Sequence, residues 1–241
     1  MKKVCILCRG KSLLDINYIP DDADLYITVN RFADELRDVN ISNKLKNKKL
    51  HHMTSLSPEE LDGMIIDECF IQYDYRKLVL PYLSETIPAS VPTVKCRNSI
   101  VLKGKVLSDK CKSYMFKRGE RPDGDTRYAY SFPTSGLATV CYAAVDLKAD
   151  NIHIIGLDFY DGVAAEFGED SNVYAYIGSD LDNDEIALRR GEDADMMKDF
   201  FTNFVKKFPE KTFSLYTNSS YNEDLDNLKV ITLNEEDESK K

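Results

Sequence analysis

Residues Thr134 to Tyr160 read TSGLATVCYAAVDLKADNIHIIGLDFY, and this stretch decides the fold. Thr134-Ser135-Gly136 is a small-residue turn that opens an apolar run with helical spacing, ending near Ala149-Asp150. Ile152 to Ile155 is a short apolar strand that closes with Gly156-Leu157-Asp158. A helix feeding a strand that ends in Gly and Asp is half of a nucleotide-binding α/β unit. The helix start offers backbone N–H groups without intrahelical acceptors, plus two hydroxyls, which suits a phosphate. The strand end sets a carboxylate where sheets of this class bind ligands. Taken alone, the segment reads equally well as an ordinary packed helix and strand with a polar turn.

Further strands flank it. Lys3 to Leu7 (KVCIL) is a buried-strand candidate, followed by Cys8-Arg9-Gly10-Lys11-Ser12-Leu13-Leu14. There Gly10 permits a tight turn and Ser12 can cap the next helical turn. The layout is a candidate phosphate cradle, although it has neither the P-loop spacing nor G-x-G-x-x-G. Leu25 to Val29 (LYITV) is a second strand; Asn30 at its end either binds a sugar or base edge or forms a turn. Ala33 to Val39 reads as helical, and the basic run Lys44 to Lys49 as a solvated loop. Leu50 to Met53 is a third strand, which puts His51 and His52 at a strand end on the ligand side. Ser57-Pro58-Glu59-Glu60 starts a helix, Cys69 to Tyr73 is a fourth strand, and Tyr75 to Leu83 a short helix. Residues 84–108 hold β-rich pieces between prolines, and 103–125 form a charged, irregular excursion.

Beyond the central stretch, Asp161 to Asp184 is rich in Gly, Asp, Asn and Tyr without periodicity. A loop this long in a compact domain is usually functional, and its position just after Asp158 suits a lid. Asp193 to Phe208 is an amphipathic helix whose Met and Phe residues belong to the core. Phe213 to Tyr216 and Val230 to Leu233 are the last strands, and residues 234–241 form a polar tail expected to be disordered. The expectation is a single α/β domain over residues 1–233. It is Rossmann-like, with a mostly parallel central sheet, helices on both faces and a lid at about residues 161–192.

Composition bounds the function. The chain has 241 residues, 43% hydrophobic and 30% charged, enough for one large domain with an ordinary core. A net charge of −9 argues against a nucleic-acid binder and against an anionic membrane surface. No apolar run reaches the roughly 20 residues of a membrane span. Met1-Lys2-Lys3 leads directly into a short strand rather than a signal peptide, so a cytoplasmic protein is expected. The six cysteines fit reduced thiols. Cys5 and Cys8 form C-x-x-C, but Cys5 lies inside the first strand and no second pair completes a zinc site, so no metal is expected.

Three strand-end stretches now line up: Arg9-Gly10-Lys11-Ser12-Leu13, Thr134-Ser135-Gly136 and Gly156-Leu157-Asp158-Phe159-Tyr160. With Asn30 they resemble, in order and approximate spacing, the bacterial sialyltransferases of glycosyltransferase family 42. Those enzymes carry G-N-G-P-S-L, an Asn after the second strand, T-S-G and G-I-D-F-Y. The resemblance covers roughly residues 1–32 and 130–162. It implies a Rossmann-like fold with a lid, a CMP-sialic acid donor, a glycan acceptor, and inverting transfer without a metal or other cofactor. Gly10 and Ser12 would contact the donor near its phosphate and sugar, Asn30 and Asp158 would hold the nucleoside, and Thr134, Ser135 and Gly136 would face the sugar carboxylate and phosphate. Tyr160 would touch the leaving phosphate.

This chain departs from the family in definite ways. Arg9 stands for the family's Asn and Lys11 for its Pro, setting two cations beside the phosphate. The Arg preceding T-S-G is absent; Phe132-Pro133 stand there and Arg127 is the nearest candidate. The lid His that serves the family as general base is missing, with Arg189-Arg190 in that region. His153 lies in a strand and reads as a packed core residue, so His52 is the first candidate base and Asp182 the second. The donor sugar is sialic acid or a related 2-keto acid such as Kdo. Two other readings stand beside this one. The first is a pterin diphosphokinase-like or flagellin-glycosylation-associated enzyme using a nucleoside triphosphate and Mg²⁺, held by pairs such as Asp123/Asp125 or Asp182/Asp184. The second is a catalytically inactive nucleotide-binding protein. Homo-oligomer formation is left open.

Overall fold

The computed structural model describes residues 1–29, 32, 35–54, 68–71, 93–95, 101–103, 105–114, 134–159 and 183–232. The strands are β1 (Lys3–Leu7), β2 (Leu25–Val29), β3 (Leu50–Thr54), β4 (Glu68–Ile71), β5 (Thr93–Lys95), β6 (Val101–Lys103), β7 (Lys105–Val106), β8 (Asn151–Ile155), β9 (Thr212–Thr217) and β10 (Leu228–Thr232). The α-helices are α1 (Val39–Leu45), α2 (Asp109–Lys112), α3 (Ser135–Val145) and α4 (Asn183–Lys206). Among the described residues, eight strands form one sheet in the order β10-β9-β8-β1-β2-β3-β4-β7, and every neighbouring pair is parallel. β5 and β6 form a separate antiparallel pair. The expected α/β architecture, a parallel central sheet with helices on both faces, is what the chain builds.

Alternation along β1 sorts the core into two layers. Val4, Ile6 and Cys8 face one side, with α3 and the Met197, Phe201, Phe204 and Val205 stripe of α4. Cys5 and Leu7 face the other, with Ile41 and Leu45 of α1. The two thiols of the C-x-x-C therefore belong to opposite faces of the sheet, which separates them as a redox or metal pair. Burial raises both thiol pKa values above the ordinary range.

α3 is buried on all sides, as expected for a helix without a polar face. Its small residues let the sheet approach closely: a Cβ on Gly136 would stand 2.9 Å from Cys8 Sγ and 3.1 Å from Leu157 Cδ1. Tyr142 carries the polar tip of this helix to His51 Nδ1, 3.1 Å away.

Two helices differ from their sequence reading. The segment 33–39 was expected to be helical, but Glu35–Arg37 is a single 3₁₀ turn and the α-helix starts later. Asp38 is the reason, because its carboxylate accepts the amides of Asn40 (2.7 Å) and Ile41 (3.3 Å) as an N-cap. The basic run from Lys44 thus begins in the last turn of α1, where Lys44 pairs with Asp21. α4 begins at Asn183 rather than Asp193, so residues 183–192, assigned to the lid, are helical. Gly191 and the acids after it imitate a helix start, but the good helix formers from Glu185 to Arg190 carry the helix through them. The remaining lid residues, the polar tail, and the helices expected at 57 and 75–83 lie outside the described residues.

Candidate functional site

Strands β1 to β4 and β7 build outward on one side of β1, and β8 to β10 on the other. The connection reverses between β1 and β8, and in open parallel sheets the crevice outside the carboxyl ends at such a switch point is where ligands bind. Three segments meet there: Cys8 to Ser12 after β1, Gly156 to Phe159 after β8, and the start of α3. The last is fixed by the contact of Gly136 with Cys8 and Leu157. The first intrahelical bond of α3 runs from Ala138 N to Thr134 O (2.8 Å), so the amides before it have no acceptor within the helix. Thr134 is partly exposed and makes no side-chain cap bond, and Ser135 is buried.

The floor of the crevice is tied shut. Cys8 N donates to Ile155 O and Gly10 N to Gly156 O, both at 2.8 Å, prolonging the ladder past the strand ends. Gly156 has φ +78°, and a Cβ there would lie 2.4 Å from Cys8 O, so only glycine fits this turn. Asp158 lies beneath Gly10 and is almost fully buried. Its Oδ2 accepts Ser12 N (3.0 Å), and its Oδ1 accepts Ser12 Oγ (2.6 Å), Thr217 Oγ1 (3.1 Å) and Asn218 N (3.0 Å). Ser12 Oγ also accepts Gly156 N at 3.0 Å. Three of these bonds fall on Oδ1 and one on Oδ2, so protein donors hold the carboxylate in place. Asp158 and Ser12 were expected to contact a nucleotide. As folded, they bond each other and lock the ends of β1, β8 and β9 together, and this shapes the crevice.

Arg9 follows directly from β1, and its Nε donates to Glu35 Oε1 at 2.8 Å, with the Arg9 side chain 7% exposed. His52 is 0% exposed, its Nδ1 2.9 Å from Thr28 Oγ1. It occupies the sheet interior rather than a ligand-facing strand tip, because period-two alternation turns it into the face that also buries Leu50. His153 is half-buried and stacks on Tyr216 with ring centroids 6.1 Å apart, in keeping with a packing residue. Burial, aided by the charge of Lys3, lowers its pKa. Asn30, Tyr160, Asp182, Arg127 and the side chain of Lys11 lie outside the described residues.

Sequence reading missed the turn after β9 that closes on Asp158. Thr217 Oγ1 donates within reach of Leu157 O (3.2 Å) and exchanges a hydrogen bond with Ser219 Oγ (2.8 Å). Phe159 has φ +53°, which is costly for a bulky residue, and is held by rings of Tyr221 (5.1 Å) and Phe201 (5.8 Å). The polar cluster Thr217-Asn218-Ser219-Ser220 at the end of a strand was the available signal.

No protein-family model matches the chain, and no curated protein matches it. A solved structure of the sialyltransferase CstII from Campylobacter jejuni, in complex with the substrate analogue CMP-3FNeuAc, is similar with a TM-score of 0.31 and 12% identity, over 89% of this chain and 80% of that one. At that level the likeness decides nothing about the site, whose chemistry rests on its own residues.

Proposed function

We propose that the protein is a glycosyltransferase that moves a sugar, sialic acid or a related 2-keto acid such as Kdo, from a CMP-activated donor to a glycan acceptor. The observation that carries this reading is the meeting of the α3 start with the β1 and β8 loops at the β1–β8 switch point. A phosphate set before α3 meets amides without intrahelical acceptors and the positive end of the helix dipole. The hydroxyl of Thr134 stands at the same edge, and Ser135 and Gly136 follow it in the first turn. Lys11 brings positive charge to the β1 loop, beside Arg9 already paired with Glu35, and this charge offsets that on the departing CMP as a metal does elsewhere. Asn30 is assigned to the nucleoside and Tyr160, which directly follows Phe159, to the leaving phosphate. With His52 enclosed in the sheet, Asp182 is the candidate base for the acceptor hydroxyl in an inverting displacement. Asp158 and Ser12 tie the β1 and β8 loops together.

The test is CMP release from CMP-sialic acid and CMP-Kdo, with and without EDTA. Release that EDTA leaves unchanged is the expected result. A thermal shift with ATP and Mg²⁺ but not with CMP favours the kinase-like enzyme, and tight CMP binding without release favours an inactive binder.

A further inference from the structure

We infer that Asn218 is a ligand-binding residue whose side-chain amide accepts a hydrogen bond from an amine or hydroxyl of the bound donor. It takes this role only if the crevice holds a CMP-sugar, the reading proposed above. Asn218 is the first residue beyond β9, and its N–H donates to Asp158 Oδ1 at 3.0 Å. That bond fastens its backbone to the end of β8, beside the switch point. The polar groups around it are satisfied internally. Thr217 Oγ1 bonds Leu157 O, Asp158 and Ser219; Ser219 N returns to Thr217 Oγ1 at 3.0 Å, and Tyr221 N reaches Ser219 Oγ at 3.3 Å. Among the described residues, the Oδ1 of Asn218 is the exception in this turn, being enclosed by protein with no hydrogen-bond donor against it.

A buried carbonyl oxygen without a donor costs folding free energy, and native proteins leave few of them. Nothing in the fold needs an amide here, since the backbone N–H already makes the bond to Asp158. A donor on the ligand resolves this cost: as folded the oxygen is closed to solvent, so binding turns the partly exposed Asn218 side chain to meet the ligand, supplies the missing bond, and makes the oxygen an affinity determinant. Two groups of a CMP-sugar have the right chemistry, the 4-amino group of the base and a hydroxyl or amide N–H of the sugar, and the choice of probes separates them.

The experiment measures affinity for CMP, UMP and CMP-sialic acid by calorimetry on wild type, Asn218→Leu and Asn218→Ala, together with the unliganded melting temperature of each. The expected result is affinity about three- to tenfold weaker, the size of one hydrogen bond, with the unliganded melting temperature equal to or above that of wild type. A loss for CMP that UMP does not share assigns the bond to the base amine; a loss confined to CMP-sialic acid assigns it to the sugar. Unchanged affinity for both CMP and CMP-sialic acid in both variants overturns the inference while leaving the CMP-sugar reading intact. Weaker binding accompanied by a lower unliganded melting temperature in both variants also overturns it, because the amide then belongs to the fold. A wild type that binds neither CMP nor CMP-sialic acid overturns both.

Discussion

At the scale of single residues, Asp158 shows what a motif can and cannot say. Gly10, Ser12 and Asp158 were legible as one cluster because each sits just beyond a parallel strand, and strand ends share an edge. The bonds they make as folded were not legible, because these depend on Thr217 and Asn218 from a distant strand end, which supply donors to the carboxylate. Asp158→Asn keeps the shape but turns one acceptor oxygen into an NH₂ facing protein donors. It should cost roughly 2–3 kcal/mol of unliganded stability, read as a lower urea midpoint at constant m-value. A carboxylate that only binds ribose would leave that midpoint where it was. His153 gives a second prediction, in pH. Its folded pKa lies below the ordinary value of 6.5, because burial and the charge of Lys3 disfavour the imidazolium. The unfolded chain then binds the proton more readily, so the residue's contribution is fully present above pH 6.5 and is lost as pH falls toward the folded pKa. Asp22 opposes this in part. His153→Gln should therefore lose less stability than wild type between pH 7.5 and 5.5; an identical loss in both proteins would remove His153 as a source.

At the scale of elements, α3 was readable at its start, because small apolar residues at helical spacing have few other uses, but it ends at Val145 rather than near Ala149-Asp150. α1 and α4 were not, and for different reasons. The start of α1 is set by one capping carboxylate, Asp38, whose signal is weak beside its many acidic neighbours. The start of α4 was hidden because its first turns are too polar to show an apolar period. The packing of α3 yields a prediction that periodicity alone cannot make. A side chain at Gly136 would push against Cys8 and Leu157 at the point where both crevice-forming loops leave the sheet. Gly136→Val should thus destabilise the fold by about 1–3 kcal/mol through overpacking. Under the proposed function it should also weaken CMP binding, by moving the helix start away from the phosphate. Calorimetry on the folded fraction at low temperature separates the two effects. Normal affinity in a destabilised variant would show that the helix start does not meet the ligand.

At the scale of the whole molecule, the parallel sheet was legible because apolar runs bounded by Gly, Asn and Asp recur between helical segments. The order of the strands was not, since nothing local says that β8 returns to the other side of β1, yet that return creates the switch point. The sheet also decides where a general base can stand. In a parallel sheet only residues at or beyond the carboxyl ends reach the crevice; His52 precedes the end of β3 and its ring is enclosed against Thr28. His52→Ala is thus expected to lower stability by roughly 2–4 kcal/mol, as for other core truncations, and under the proposed function the folded protein keeps its kcat. Under the proposed function Asp182, which precedes the first residue of α4, is the alternative base, and Asp182→Asn should then cost about 10²–10⁴-fold in kcat with little change in KM for the donor. The rate–pH profile discriminates independently of either variant. A carboxylate base of ordinary pKa, about 3.9, leaves kcat/KM flat through pH 6–7, whereas a histidine base bends it down there. A bend near pH 6–7 that disappears in His52→Ala would require the sheet edge at β3 to open during turnover and would return the role to His52. A flat profile together with a silent Asp182→Asn would move the base elsewhere.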